Sequence, residues 1–227
     1  KNDYYDMTAN INVTDYDGSK YYMWDAQKNY WNGHEWNSAN PWQPVLTGKN
    51  NSNYPVSGSS YFHMTEGFGR EDAMNSSFKD LPNANELGWY VKNGDPRWDD
   101  DKLWTAMGHL YKGGIWLRNK AYIKLTTSFN SDQGPSYLDM RDNYARFEVT
   151  PTQGAPVGYF ASRYFFLPAL GQYSDGFLQY IGKGGFYWSS SASPADYSWA
   201  YSLEFNKSQV IVNTTPSVNG YYIGAFE

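Results

Sequence analysis

Gly184-Gly185-Phe186-Tyr187-Trp188-Ser189-Ser190-Ser191 is the stretch on which the fold turns. Two glycines supply a turn that side chains would hinder. Three consecutive aromatic residues then have the bulk of a buried strand, and three serines offer short hydroxyls that bond backbone groups where such a strand ends. The residues that follow keep a β character. Trp199, Tyr201, Leu203 and Phe205 alternate with Ala200, Ser202 and Glu204, which predicts a strand with one buried face. Asn206-Lys207-Ser208-Gln209 turns the chain into Val210-Ile211-Val212, and Tyr221-Tyr222-Ile223-Gly224-Ala225-Phe226 closes a β-rich C-terminal part spanning 163–227.

Upstream, the pattern changes to helix punctuation. In Leu81-Pro82-Asn83-Ala84-Asn85-Glu86, Asn83 is an N-cap with Glu86 three residues on, the capping-box spacing. Leu87, Tyr90 and Val91 line one face, and Asn93-Gly94 offers a left-handed stop, which predicts a helix near 83–93. Asp99-Asp100-Asp101 at the start of a Leu103, Trp104, Met107 and Leu110 stripe predicts a second helix near 99–112, ended by Gly113-Gly114. Tyr122 to Gly158 reads as a mobile insertion with one or two strands. Nearer the N-terminus, Tyr21-Tyr22-Met23-Trp24 reads as a short aromatic strand, followed by a Trp-rich loop over 29–54 pinned by its own aromatics. No internal repeat or linker interrupts the chain, so residues 1–227 are expected to form one domain.

Composition narrows the function classes. Aromatic residues make up 19% of the chain (22 Tyr, 12 Phe and 10 Trp), more than one core of this size ordinarily holds. Exposed rings, which suit stacking on sugars or on a protein partner, are the expected remainder. The net charge is −5 and no basic run occurs, which argues against nucleic acid and against an anionic membrane surface as partners. The absence of cysteine rules out thiol chemistry, thiolate metal sites and disulfides. No apolar run approaches the ~20 residues of a membrane helix. Lys1 in place of an initiator Met is expected of a mature or trimmed form, with any signal peptide, lipid anchor or upstream domain outside it.

Three stretches carry a family resemblance. One is Phe166-Leu167-Pro168-Ala169-Leu170-Gly171 followed by Asp175-Gly176, Ile181-Gly182 and Gly185-Phe186-Tyr187-Trp188-Ser189-Ser190-Ser191. The second is Ala200-Tyr201-Ser202-Leu203-Glu204-Phe205 with Val210 and Gly220, and the third is Leu81-Pro82-Asn83-Ala84-Asn85-Glu86-Leu87. Together with the segment from Tyr22 to Pro44 they resemble the Fibrobacter succinogenes major paralogous domain and its relatives in Bacteroides surface proteins, within the C-type-lectin-like superfamily. The resemblance touches roughly half of the chain. It implies an α+β fold with two helices flanking a small twisted antiparallel sheet and long ordered loops. It also implies export to the cell surface or outer membrane, lipid anchoring in some members, a fimbrillin-like domain upstream, and a role in adhesion. The chain departs from calcium-dependent lectins: Trp42-Gln43-Pro44-Val45 has no acid after the proline, and no Trp-Asn-Asp occurs. It also departs from the related formylglycine-generating enzymes, whose chemistry needs cysteine.

The most site-like cluster is Trp31, His34, Glu35, Trp36 and Trp42, an imidazole, a carboxylate and flat rings on one loop that could hold a sugar by stacking and hydrogen bonding. The alternative is a loop steadied by its own aromatics with His34 and Glu35 solvated. Asp95 and Asp99 to Asp101 could be read as calcium ligands or as charge at a helix start. His63 and His109 stand alone. Asp25, Glu35, Glu66, Glu71 and Asp72 could pair as glycosidase carboxylates, though no motif sets two of them across a cleft. Ser189 to Ser191 lie in no nucleophile elbow. The expectation is a non-enzymatic recognition or adhesion module, with no cofactor or metal, that binds glycan or a protein ligand at the cell surface. A structural subunit of a fimbria-like assembly is the second reading and a carbohydrate-active hydrolase the third.

Overall fold

The computed structural model describes residues 13–55, 72–224 and 226. In chain order the elements are β1 (Thr14–Tyr16), β2 (Tyr21–Tyr22), α1 (Ser76–Lys79), α2 (Ala84–Asn93), β3 (Arg97–Ala106), β4 (His109–Arg118) and α3 (Lys120–Thr126). Then come β5 (Phe147–Val149), β6 (Thr152–Gln153), a 3-10 turn at Gly158–Arg163, β7 (Tyr164–Pro168), β8 (Gln172–Ser174) and β9 (Phe177–Gln179). Four strands complete the chain: β10 (Gly184–Ala192), β11 (Trp199–Asn206), β12 (Val210–Pro216) and β13 (Tyr221–Tyr222).

Strand accounts for 36% of the structure and helix for 14%. The expected α+β, C-type-lectin-like architecture of two helices flanking one small antiparallel sheet is thereby corrected to a mostly β fold with several sheets. Among the described residues, one sheet has five strands in the order β1-β3-β4-β7 with β6 also on β3. A second has six, β2-β13-β10-β11-β12-β5, and β8-β9 forms a separate pair. Pairing is mixed, since β1 and β6 run parallel to β3 and β13 runs parallel to β10.

The largest correction falls on the expected helix at 99–112, which is instead the hairpin of β3 and β4. Met107 and Gly108 both adopt left-handed backbone (φ 50° and 74°). Two such residues make the two-residue turn whose twist matches that of antiparallel strands. The acidic run does not cap a helix. The Asp99 carboxylate accepts hydrogen bonds from the backbone N–H groups of Asp101 and Lys102 and from Trp116 Nε1, at 2.9, 3.0 and 2.9 Å. Those bonds hold the bulge that shifts the register between Asp99 and Leu103. Gly114 is no helix stop either. It lies within β4, where a Cβ would come 2.4 Å from Leu167 O on the neighbouring strand.

Helix α2 forms where the capping box predicts it. Asn83 Oδ1 accepts from Glu86 N at 3.0 Å, and Glu86 Oε2 accepts from Asn83 N at 3.2 Å. The left-handed residue at its end is Asp95 (φ 45°), one position beyond Gly94, whose φ is −76°. The expected mobile insertion contains α3, β5 and β6, and much of the rest is tied to α2. Asn85 Oδ1 accepts from Met140 N, and Trp89 Nε1 donates to Gln133 O, both at 2.8 Å.

Helix α2 packs on β5, β10, β11 and β12. Tyr187, Leu203, Phe205, Val210 and Val212 enter the main core with Leu87 and Val91. Part of the other face of the same sheet is covered as well, because Trp188, Ala200 and Tyr221 join Trp24 and Phe78 in a second cluster. Strand β11 is consequently buried on both faces from Ala200 to Leu203, and Trp199 is exposed, which corrects the one-faced reading. The serines act as fasteners: Ser191 Oγ accepts from Ala84 N at the first turn of α2, and Ser189 Oγ accepts from Ser191 N.

Candidate binding surfaces

The Trp-rich loop forms no helix, and it meets the strands through the bridge of Asn50 to Phe177, through Gly48 N donating to Leu178 O, and through Tyr111 Oη donating to Val45 O. Its centre is Gln43, buried, whose amide nitrogen donates to Gly18 O at 2.7 Å and to Tyr173 Oη at 3.1 Å, while its oxygen accepts from Trp36 N at 3.0 Å. Polar groups so enclosed must be paired, and here the pairs tie the loop to β8 and to the first turns of the chain.

The five residues singled out by sequence are not brought together on one open face. Trp31 is 4% exposed and packs edge-on against Tyr173. Trp36 is half-buried over Gly18 and Gly108. His34 stacks on Trp42 with ring centroids 3.3 Å apart, and its Nδ1 lies 2.9 Å from Asn40 O. Asn29 Nδ2 donates to Glu35 at 2.9 Å. Burial alone would push the Glu35 carboxyl up, but that bond, the backbone N–H groups of Glu35 and Gly33, and nearby His34 outweigh it and hold it low. Each side chain is engaged in pinning the loop.

The other candidate acids are engaged likewise. The buried Asp25 carboxylate accepts from Met74 N and Asn75 N at 2.9 and 2.8 Å. Asp72 lies in a bridge to Ser191. His109 begins β4, and His63, Glu66 and Glu71 fall outside the described residues. Among the described residues no three acidic or imidazole side chains are grouped so as to hold a metal ion.

A different surface has binding chemistry. Across the second sheet runs an open groove of about 540 Å3, lined by side chains of β10, β11, β12, β13 and the β8–β9 region. Its aromatic members are Tyr180, Phe186, Trp199 and Tyr221, and its amides and hydroxyls include Asn206, Asn213, Asn219 and Thr215. The rings form a ladder. Tyr180 is 5.7 Å from Phe186, Phe186 is 5.3 Å from Tyr221, and Tyr221 stacks on buried Trp188 at 4.6 Å. The outer end is open, with Tyr180 half exposed in a left-handed conformation (φ 61°) that costs a non-glycine residue energy.

Glu204 is the one carboxylate among the described residues lining this groove. Its Oε1 accepts from Ser202 Oγ at 3.0 Å and from Tyr221 Oη at 3.2 Å. Burial holds the carboxyl above the usual carboxylate value, against the pull of those two bonds.

Compared with family models, curated proteins and solved structures, the chain matches none. The resemblance read from the sequence finds neither support nor refutation there.

Sequence reading missed Tyr180, Phe186, Trp199 and Glu204 as a group, because they meet only when the turn after β9 and the strands β10 and β11 are brought side by side. One signal was present in β11: Glu204 is a lone charge between Leu203 and Phe205, and such a charge inside an apolar strand needs a polar setting. Among the described residues no helix is long and apolar enough to cross a membrane.

Proposed function

We propose that the chain is a non-catalytic recognition module that binds glycan in the groove across the six-stranded sheet, in the setting of cell-surface adhesion that the family resemblance implies. One observation carries the reading: an open groove whose lining combines aromatic rings with amides and hydroxyls. A sugar ring has an apolar C–H face that stacks on Phe186, Tyr180 or Trp199, and a hydroxyl rim that pairs with Asn206, Asn213 and Asn219. An open groove suits an extended glycan better than a small enclosed ligand. Hydrolysis of a glycosidic bond by the usual route takes two carboxyl groups facing each other across it. Glu204 is the one carboxylate among the described residues of the lining, which favours holding over cutting.

The test is a glycan array read with the intact protein and with Trp199→Ala and Asn213→Ala. Binding by the intact chain and its loss in both variants supports the reading. Release of reducing ends from a bound glycan over time contradicts it.

A further inference from the structure

A second cleft, of about 280 Å3, opens at the far end of the other sheet. Arg97 begins β3, Arg118 ends β4 opposite Tyr164 of β7, and Arg163 ends the 3-10 turn that precedes β7, so three adjacent strands deliver three guanidinium groups to one place. One carboxylate, Asp95, faces them among the described residues that line the cleft. Arg97 and Arg118 reach it at 3.1 and 3.3 Å, and the Tyr164 hydroxyl donates to it at 2.5 Å. All of these contacts fall on Oδ2, so among the described residues none is made to Oδ1.

Arg163 has no carboxylate partner among the described residues. Its guanidinium carbon lies 4.4 Å from the Tyr122 ring centroid, 4.7 Å from that of Phe160 and 5.3 Å from that of Tyr159. Rings on a guanidinium's faces hold it in place and leave its edge N–H groups directed outward. One of them meets the Tyr122 hydroxyl. Beside it, Val157 and Tyr159 are 79% and 81% exposed, an apolar rim on an otherwise polar surface.

We propose that this cleft binds a sugar acid, with the carboxylate of a hexuronate on the edge of Arg163, its ring against Phe160 and Val157, and a hydroxyl donating to Asp95 Oδ1. The charge pattern decides the class. Arg97, Arg118 and Arg163 attract an anion, and a forked guanidinium pairs with a planar carboxylate through two parallel hydrogen bonds. Asp95, held by two of the three arginines, adds an acceptor and so favours an acid that also carries hydroxyl donors. A peptide C-terminus supplies the acid but not the hydroxyls. The volume is that of a monosaccharide site and is smaller than most drug-sized pockets. This inference stands apart from the groove reading, since either surface can fail to bind while the other succeeds.

The experiment is an NMR titration of the isotope-labelled chain with galacturonate, galacturonic acid methyl ester, galactose, inorganic phosphate and an N-acetylated dipeptide. Galacturonate is expected to shift resonances at Arg163, Phe160 and Asp95, with its affinity falling as salt rises. The methyl ester and the Arg163→Lys variant each lose the paired charge-assisted bonds, so each should weaken binding about tenfold or more. Equal affinity for acid and ester, binding of phosphate or the dipeptide at least as tight as galacturonate, or no shift at all would overturn the proposal. The comparison of acid with ester needs no variant and stands even where Arg163→Lys does not fold.

Discussion

Gly185 bears most of the weight that the opening stretch puts on single residues. A Cβ there would come 2.1 to 2.6 Å from carbons of the Phe205 ring, which is buried and packed between Tyr187 and Trp98. The ring has nowhere to move. Gly185→Ala should therefore cost about 1–3 kcal/mol, the range for overpacking a filled core, measured by urea denaturation. Glu204 yields a prediction of opposite sign. Its carboxyl is held above its ordinary value, so the folded chain binds that proton more tightly than the unfolded chain does. Its contribution to stability is fullest below the ordinary carboxyl range and falls as pH rises through the raised value. Glu204→Gln keeps an oxygen to accept from Ser202 and Tyr221, so it should be at least as stable as the parent near neutral pH and show a shallower loss between acid and neutral pH. A variant less stable than the parent at neutral pH, with the same slope, would count against that account of Glu204.

Among the elements, α2 and the β3–β4 hairpin show what was legible and what was not. The capping box is local, three residues apart, and its two hydrogen bonds form as its spacing predicts. Asn83→Ala should destabilise by about 1 kcal/mol in thermal or urea melts, the usual cost of losing an N-cap. The hairpin misled for a physical reason. Leu103, Trp104, Met107 and Leu110 fit a helical stripe, yet Leu103 and Leu110 are 37% and 51% exposed while Trp104 and Met107 are buried. The Met107-Gly108 turn lacks the Asn or Asp that commonly marks a left-handed pair, so only its glycine hinted at the reversal. The triple aspartate looked like helix-start charge because a bulge held by one side chain leaves the same local composition. Strand β11 was legible as a strand but not as a doubly buried one, since the second cluster that covers Ser202 and Ala200 is assembled from Trp24 and Phe78, far away in sequence.

On the scale of the whole molecule, the aromatics of the Trp-rich loop serve structure, and the open surfaces are assembled from residues that lie far apart in sequence. The Trp31–Trp42 segment looked like a site because its residues are neighbours in sequence; the fold spends those rings on stacking, hydrogen bonding and burial. The groove draws on residues from Gln172 to Tyr221, and the arginine cleft on residues from Asp95 to Tyr164. Neither set has a spacing that a linear reading registers. Phe186 links the two levels, since it belongs to the stretch that signals the fold and also lines the groove that we assign to glycan. The central claim is that this groove recognises glycan without cutting it. It is tested most directly by titrating the best array glycan into the intact chain and into Trp199→Ala by calorimetry, with the recovered glycan checked for cleavage. The account predicts saturable binding, an affinity at least about tenfold lower in the variant, and glycan recovered whole. Undiminished affinity in Trp199→Ala, or shortened glycan, would contradict it.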